Sequence, residues 1–279
     1  MLFSVLVLAL VQGICEFLPV SSSGHLVFIN KFFNVGGDFI LLSIVLHVAT
    51  LVAVVIVLWK DVYRLIKRPL SPLGRKLVVA TIPTVILVLI FKKIYAKAFS
   101  GAYLPFCFML TGVVIMLSEF LNHKDLQTDK KCFKCLNGSY SNINDNNKFR
   151  YNLDTSISYF SAIVMGLMQG IAVLPGISRS GFTICGGILT KNERNEVIRF
   201  SFLMSIPIIL ASLLFEILDF VHGGQTLAIN PIYLLLGFVV ALVVGLLSVK
   251  FMLKFVSNHS IIPFAIYLAI ISVLSFFLR

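Results

Sequence analysis

The sequence predicts an all-α polytopic membrane protein built as an inverted-topology repeat, each half a broken re-entrant helical hairpin followed by three transmembrane helices. Three observations predict it. Of the 279 residues, 58% are hydrophobic and only 13% charged, against roughly 45–50% and about 25% in soluble domains. One phrase is written twice, as VQGICEFLPVSSSGH over 11–25 and MQGIAVLPGISRSGFT over 168–183. Each copy also places polar or charged groups inside apolar sequence. A charge at mid-bilayer costs at least ~2.5–3.5 kcal/mol on insertion scales, so such groups usually mark function.

The first element is the hairpin over 2–33. Gln12, Glu16 and Pro19 interrupt its apolar start, and after SSSGH a second apolar stretch runs only to Phe33. The residue before a proline disfavours helix, so the chain breaks there. Irregular backbone at membrane depth survives only where protein or a water-filled cavity surrounds it. The start has no basic n-region and no small-residue cleavage site, so it is expected to be retained rather than removed as a signal peptide.

Three spans follow over roughly 39–59, 76–94 and 104–121, completing a first repeat at 1–121. Each approaches the ~20 apolar residues a span needs. A polar linker at 122–155, rich in Asn, Ser and Lys, has no apolar periodicity and reads as a flexible tether. The second repeat, 156–279, opens with a hairpin over 157–190 broken by Gln169 and Pro175. Its spans lie over 197–220, 230–253 and 261–278. Three spans per half is odd, so the second half enters the membrane from the opposite side. Broken helices at matching places in two such halves point to a binding site near mid-membrane.

Charge sets the orientation. The net charge is +11, but the basic residues crowd inter-span loops, such as Lys60, Arg64, Lys67 and Arg68 or Lys130, Lys131 and Lys134. That pattern is the positive-inside rule rather than a nucleic-acid surface. The linker 122–155 is therefore expected in the cytoplasm and both termini outside. Five cysteines are too scattered for a disulfide framework. Cys15, Cys107 and Cys185 read as packing residues. Cys132 and Cys135 form a lone CxxC, a weak zinc signal without a second ligand pair.

The polar breaks hold the chemistry. Gln12 and Glu16, four apart, share one helix face. A buried carboxylate such as Glu16 suits a base or a metal ligand. Ser21, Ser22 and Ser23 with Gly24 suit a helix N-terminus, where free N–H groups attract anions. Ser21 and Ser23 divide between capping and substrate binding. Ser22 is the candidate nucleophile, with Glu16 or His25 as its base. His25 can also shuttle a proton. His47, one turn from Thr50 in an apolar span, reads as a structural hydrogen-bonding group. In the second break, Arg179 offers a planar fork of donors for phosphate. Gly176, Ser178, Ser180 and Thr183 surround it with hydroxyls and room for close backbone approach.

These motifs resemble the bacterial undecaprenyl-diphosphatase family, also called bacitracin-resistance proteins. The resembling stretches are Gln12 to Glu16 with PVSSSGH over 19–25, and PGISRSGFT over 175–183. FSFLMSIP over 200–207 and IPFAIY over 262–267 extend the likeness to nearly the whole chain. The resemblance implies hydrolysis of undecaprenyl diphosphate to undecaprenyl phosphate, which recycles the lipid carrier of peptidoglycan synthesis and confers bacitracin resistance. It also implies an inverted-repeat fold, an externally facing site and a divalent cation, Mg2+ or Ca2+, at Glu16 and position 12. Carried over, Glu16 is a metal ligand or base, Ser22 the nucleophile, and His25 a proton donor or alternative nucleophile. Ser178, Arg179 and Thr183 hold the diphosphate. Position 12 is Gln where many members carry a carboxylate, which weakens the cation's hold. The expected partners are a prenyl diphosphate lipid and bilayer lipid, with no nucleic acid; a homodimer is allowed for. A lipid-carrier flippase or secondary transporter of the same architecture is the competing reading, and an anion channel built on Arg179 a weaker third.

Overall fold

The computed structural model describes residues 1–33, 39–98, 103–136, 156–222 and 229–277, and among them every regular element is a helix. In chain order these are α1 (Leu2–Cys15), α2 (Ser22–Phe33), α3 (Phe39–Val57), α4 (Trp59–Lys67), α5 (Pro72–Ala98) and α6 (Leu104–Leu136). Then come α7 (Tyr159–Ile171), α8 (Arg179–Leu189), α9 (Arg194–His222), α10 (Pro231–Asn258) and α11 (Ile262–Phe277).

Local chemistry sets several of these boundaries. Pro72 opens α5 and Pro231 opens α10, where a missing N–H would have had no partner anyway. Asn230 caps α10 by accepting the Ile232 N–H, and Ser158 caps α7 by accepting the Ser161 N–H. α3, α5, α6, α9 and α10 each carry a stretch long and apolar enough to cross a membrane. The sixth predicted span departs from this. α11 has 16 residues, about 24 Å of helix against a hydrocarbon core of about 30 Å. Part of the basic loop expected after α3 is itself a helix, α4, whose Asp61 is buried and bonded by Arg199 of α9 at 2.7 Å. The backbone of α6 runs on to Leu136, into the predicted linker. The rest of that linker, 137–155, lies outside the described residues, as does any chemistry of Cys132 and Cys135.

Packing is mostly between distant parts of the chain. α1 and α3 lie on α10, α7 lies on α5, and α6 lies on α11. α8 sits between α6 and α9, and α9 also meets α3. The principal core gathers Phe17, Phe108, Met165, Phe200 and Phe202 around the two breaks. Phe17, just past Glu16, meets Phe202 edge-on with ring centres 5.5 Å apart, a favoured aromatic geometry. At the helix ends, Glu119 takes Arg194 at 2.6 Å and the Ile261 N–H at 3.1 Å, tying α6, α9 and the start of α11 together.

Candidate active site

α1 ends at Cys15 and α2 begins at Ser22; α7 ends at Ile171 and α8 begins at Arg179. The non-helical stretches between them lie inside the two copies of the repeated phrase, and they touch. Ser21 takes a left-handed conformation, φ 70°, and its hydroxyl accepts N–H bonds from Gly24 in its own break and Gly176 in the other, at 3.3 and 3.2 Å. Gly176 has φ +94°, and a Cβ there would fall 2.7 Å from Cys107 Cβ. Only glycine meets both demands. Ser180 donates to the Leu18 carbonyl at 2.9 Å, and Thr111 of α6 accepts the Ser178 N–H at 3.2 Å. The contact between the breaks is thus built from hydroxyls satisfying backbone groups that no helix serves.

A cavity of about 190 Å³ opens beside this contact. Glu16, Ser21, Ser22, Ser23, Ser178, Arg179 and Ser180 line it. Glu16 is the hub, with its side chain 1% exposed. Ser22 Oγ donates to Glu16 Oε2 at 2.6 Å, and Gln12 Nε2 donates to the same oxygen at 3.0 Å. Arg179 donates to the other oxygen, Oε1. A buried carboxylate is tolerated only when paired and hydrogen-bonded, and both conditions hold here. The first residues of α2 and of α8 both face the cavity, and helix N-termini favour anions.

Several sequence-picked residues stand elsewhere. His25 does not line the cavity. Its Nδ1 lies 2.7 Å from the Ser21 carbonyl and so carries the hydrogen, leaving Nε2 to accept from the Tyr267 hydroxyl of α11 at 2.8 Å. The ring is further held between Phe108 and Tyr267. Thr183 turns the other way and bonds Ser201 of α9 at 2.6 Å, clamping α8 to α9. Gly176 is a backbone junction, and Gln12 lies fully buried behind Glu16 with its amide nitrogen also 3.4 Å from Thr50.

Other cavity residues escaped the sequence reading. His47 of α3 makes a structural hydrogen bond, its Nδ1 2.8 Å from the Ser43 carbonyl, and it also lines the cavity with Nε2 3.9 Å from Glu16 Oε2. Ser43, Gln169 and Glu216 line it too. A signal for α3 was available: Ser43, His47 and Thr50 follow the i, i+4, i+7 spacing of one helix face in an otherwise apolar segment.

The profile of the family described as bacitracin resistance protein BacA matches residues 5–274. An undecaprenyl-diphosphatase of Carboxydothermus hydrogenoformans is 34% identical, over 97% of this chain and 95% of its own. One from Treponema denticola is 35% identical, over 96% and 93% respectively. One from Methanosphaera stadtmanae is 32% identical, over 99% and 98%. A match of this extent takes in both breaks and every span between them, and the chain belongs to the bacitracin resistance protein BacA family.

Proposed function

We propose that this chain is an integral-membrane phosphatase that hydrolyses undecaprenyl diphosphate to undecaprenyl phosphate and inorganic phosphate. One observation carries the reading: the Ser22 hydroxyl donates to the buried Glu16 carboxylate at 2.6 Å beside the Arg179 guanidinium. The full-length relatives named undecaprenyl-diphosphatase support the substrate.

The residues suggest a sequence of steps. Arg179 and the N-termini of α2 and α8 hold the diphosphate, with Ser21, Ser23, Ser178 and Ser180 at the cavity wall. Ser22 Oγ attacks the terminal phosphorus as Glu16 takes its proton, a nucleophile–base pair within bonding reach. The anhydride bond breaks and undecaprenyl phosphate leaves with its tail in the bilayer. Water then attacks the phosphoserine, giving its proton to the site as the serine oxygen recovers one, and phosphate departs. Ser22 is favoured over His25 as nucleophile because both ring nitrogens of His25 are engaged by Ser21 and Tyr267. His25 then acts through the Ser21 carbonyl that it holds.

A divalent cation fits the donors present. Gln12 Oε1 is buried with no partner, on the amide whose nitrogen meets Glu16 Oε2 at 3.0 Å, and Mg2+ or Ca2+ takes six or more oxygens. Among the described residues no three His, Cys, Asp or Glu side chains converge, so Glu16 and Gln12 would hold the ion together with substrate oxygens. Such an ion, when bound, neutralises charge on the diphosphate.

The inverted repeat is proposed on the same footing. α1 packs on α10 and α7 on α5, each the middle span of the opposite half. The basic loops support termini outside a bacterial cell membrane and a cytoplasmic linker.

The test is phosphate release from a prenyl diphosphate by the purified protein in detergent, with Mg2+ or Ca2+ and with a chelator. Release that the chelator abolishes is expected. No release with either ion present would sink the enzyme reading and leave a lipid-carrier transporter ahead.

A further inference from the structure

We propose that Tyr267 of α11 is a positioning residue for the attack on phosphorus. Its hydroxyl fixes the His25 ring, and through that ring the left-handed turn from which Ser22 is aimed at Glu16. The proposal rests on the phosphatase reading only for Ser22 being the group that attacks.

The turn is the unusual part. Ser21 caps α2, its hydroxyl accepting the Gly24 N–H at 3.3 Å and its carbonyl the His25 N–H at 3.2 Å. A residue in that place is ordinarily extended. Ser21 instead has φ 70°, a conformation that a residue bearing a Cβ resists. Ser22 is the first residue of α2, so the direction in which it points depends on this turn. Relaxing Ser21 to the extended form would swing the start of α2 and draw Ser22 Oγ away from Glu16, which it now meets at 2.6 Å.

The hydroxyl of Ser21 is held by Gly24 and by Gly176 of the other break. Its carbonyl is held by the His25 ring, with Nδ1 at 2.7 Å. A carbonyl oxygen only accepts, so Nδ1 carries the hydrogen and Nε2 is an acceptor. His25 is 4% exposed, and a buried acceptor left without a partner is destabilising. The Tyr267 hydroxyl supplies the partner at 2.8 Å, from 242 positions along the chain. An Nε2–H ring would turn the tyrosine into the acceptor and strip the Ser21 carbonyl of its ring donor.

Tyr267 can hold the ring because α11 is itself fixed on α6. Ser272 donates to the Pro105 carbonyl at 2.7 Å. Gly112 leaves room for the Ala265 carbonyl, from which a Cβ would stand only 3.2 Å away. Phe108, also of α6, meets the His25 ring edge-on with centres 5.2 Å apart, which fixes the plane of the imidazole. The path from Tyr267 ends at a backbone carbonyl, which passes no proton on. Tyr267 and His25 therefore act on Ser22 by geometry.

Two measurements on the full-length protein in detergent test this. In ¹⁵N-histidine spectra of the unsubstituted chain, His25, assigned by its loss in His25→Gln, should be neutral and protonated at Nδ1, with Nε2 shifted as a hydrogen-bond acceptor. In Tyr267→Phe the ring stays and the hydroxyl goes, so that acceptor shift should disappear. The kcat for phosphate release from a prenyl diphosphate should then fall about 10- to 100-fold, the scale of a misplaced reacting group. KM should stay within about twofold, because Arg179 is untouched. A His25 protonated at Nε2, a kcat in Tyr267→Phe within about twofold of the unsubstituted chain, or a loss carried by KM would each overturn the proposal. The spectra of the unsubstituted chain decide the tautomer even where Tyr267→Phe fails to fold. Failure of the phosphatase reading would show separately, as no phosphate release by the unsubstituted chain with Mg2+ or Ca2+.

Discussion

Ser22→Ala separates a nucleophile from a hydrogen-bonding neighbour. The Ser22 hydroxyl gives Glu16 a short bond of 2.6 Å to a charged acceptor, worth about 1.5–3 kcal/mol. Were Ser22 there only to orient Glu16, its loss would raise the barrier by at most that amount. At ~1.36 kcal/mol per decade, this is a rate loss of about 10- to 150-fold. Removal of a nucleophile acts on a different scale, roughly 10³-fold at least and up to about 10⁶ where the catalytic group acts as a unit. Single-turnover phosphate release from a prenyl diphosphate reads the difference. Ser22 lies at the cavity rim, so the folded state should survive, checked by a single symmetric peak in size exclusion. We expect a loss above about 10³-fold. A residual rate within about 150-fold of the unsubstituted protein would refute Ser22 as nucleophile.

Other perturbations test other parts of the site. Arg179→Lys keeps the charge and loses the fork, and should lower kcat/KM about 100-fold in the same assay. Arg179→Ala also leaves the buried Glu16 carboxylate without its ion pair, and should cost about 3–5 kcal/mol in thermal unfolding of the detergent-solubilised protein. Gly176→Ala must place a Cβ at φ +94°, 2.7 Å from Cys107 Cβ. Strain and overpacking together should remove about 2–5 kcal/mol, and an unchanged melting temperature would contradict the junction described. Thr183→Val loses the bond to Ser201, and should lower stability by about 1–3 kcal/mol with KM within about twofold. A tenfold rise in KM at unchanged stability would return Thr183 to the substrate.

Local sequence was enough to place the chain among membrane proteins and in its family. Apolar runs of span length and the basic loops between them are consequences of the bilayer as solvent, legible without any tertiary contact. So were the breaks: Pro19 and Pro175 interrupt helices by their own covalent geometry, and Glu16, Ser22 and Arg179 stand beside them because local sequence puts them there. What sequence could not decide was where side chains point once distant helices pack. Ser22 and His25 are three residues apart, yet one reaches Glu16 and the other is drawn off by Tyr267, 242 positions along the chain. Thr183 shares its phrase with Arg179 but is taken by Ser201 on α9. His47 lies in no repeated phrase, and enters the site because α3 packs against α1, α9 and α10 with its polar face toward Glu16. The physical reason is common to all three. Backbone conformation and helix face follow from local chain geometry, while a polar side chain in an apolar medium goes to whichever partner the packed structure brings within reach.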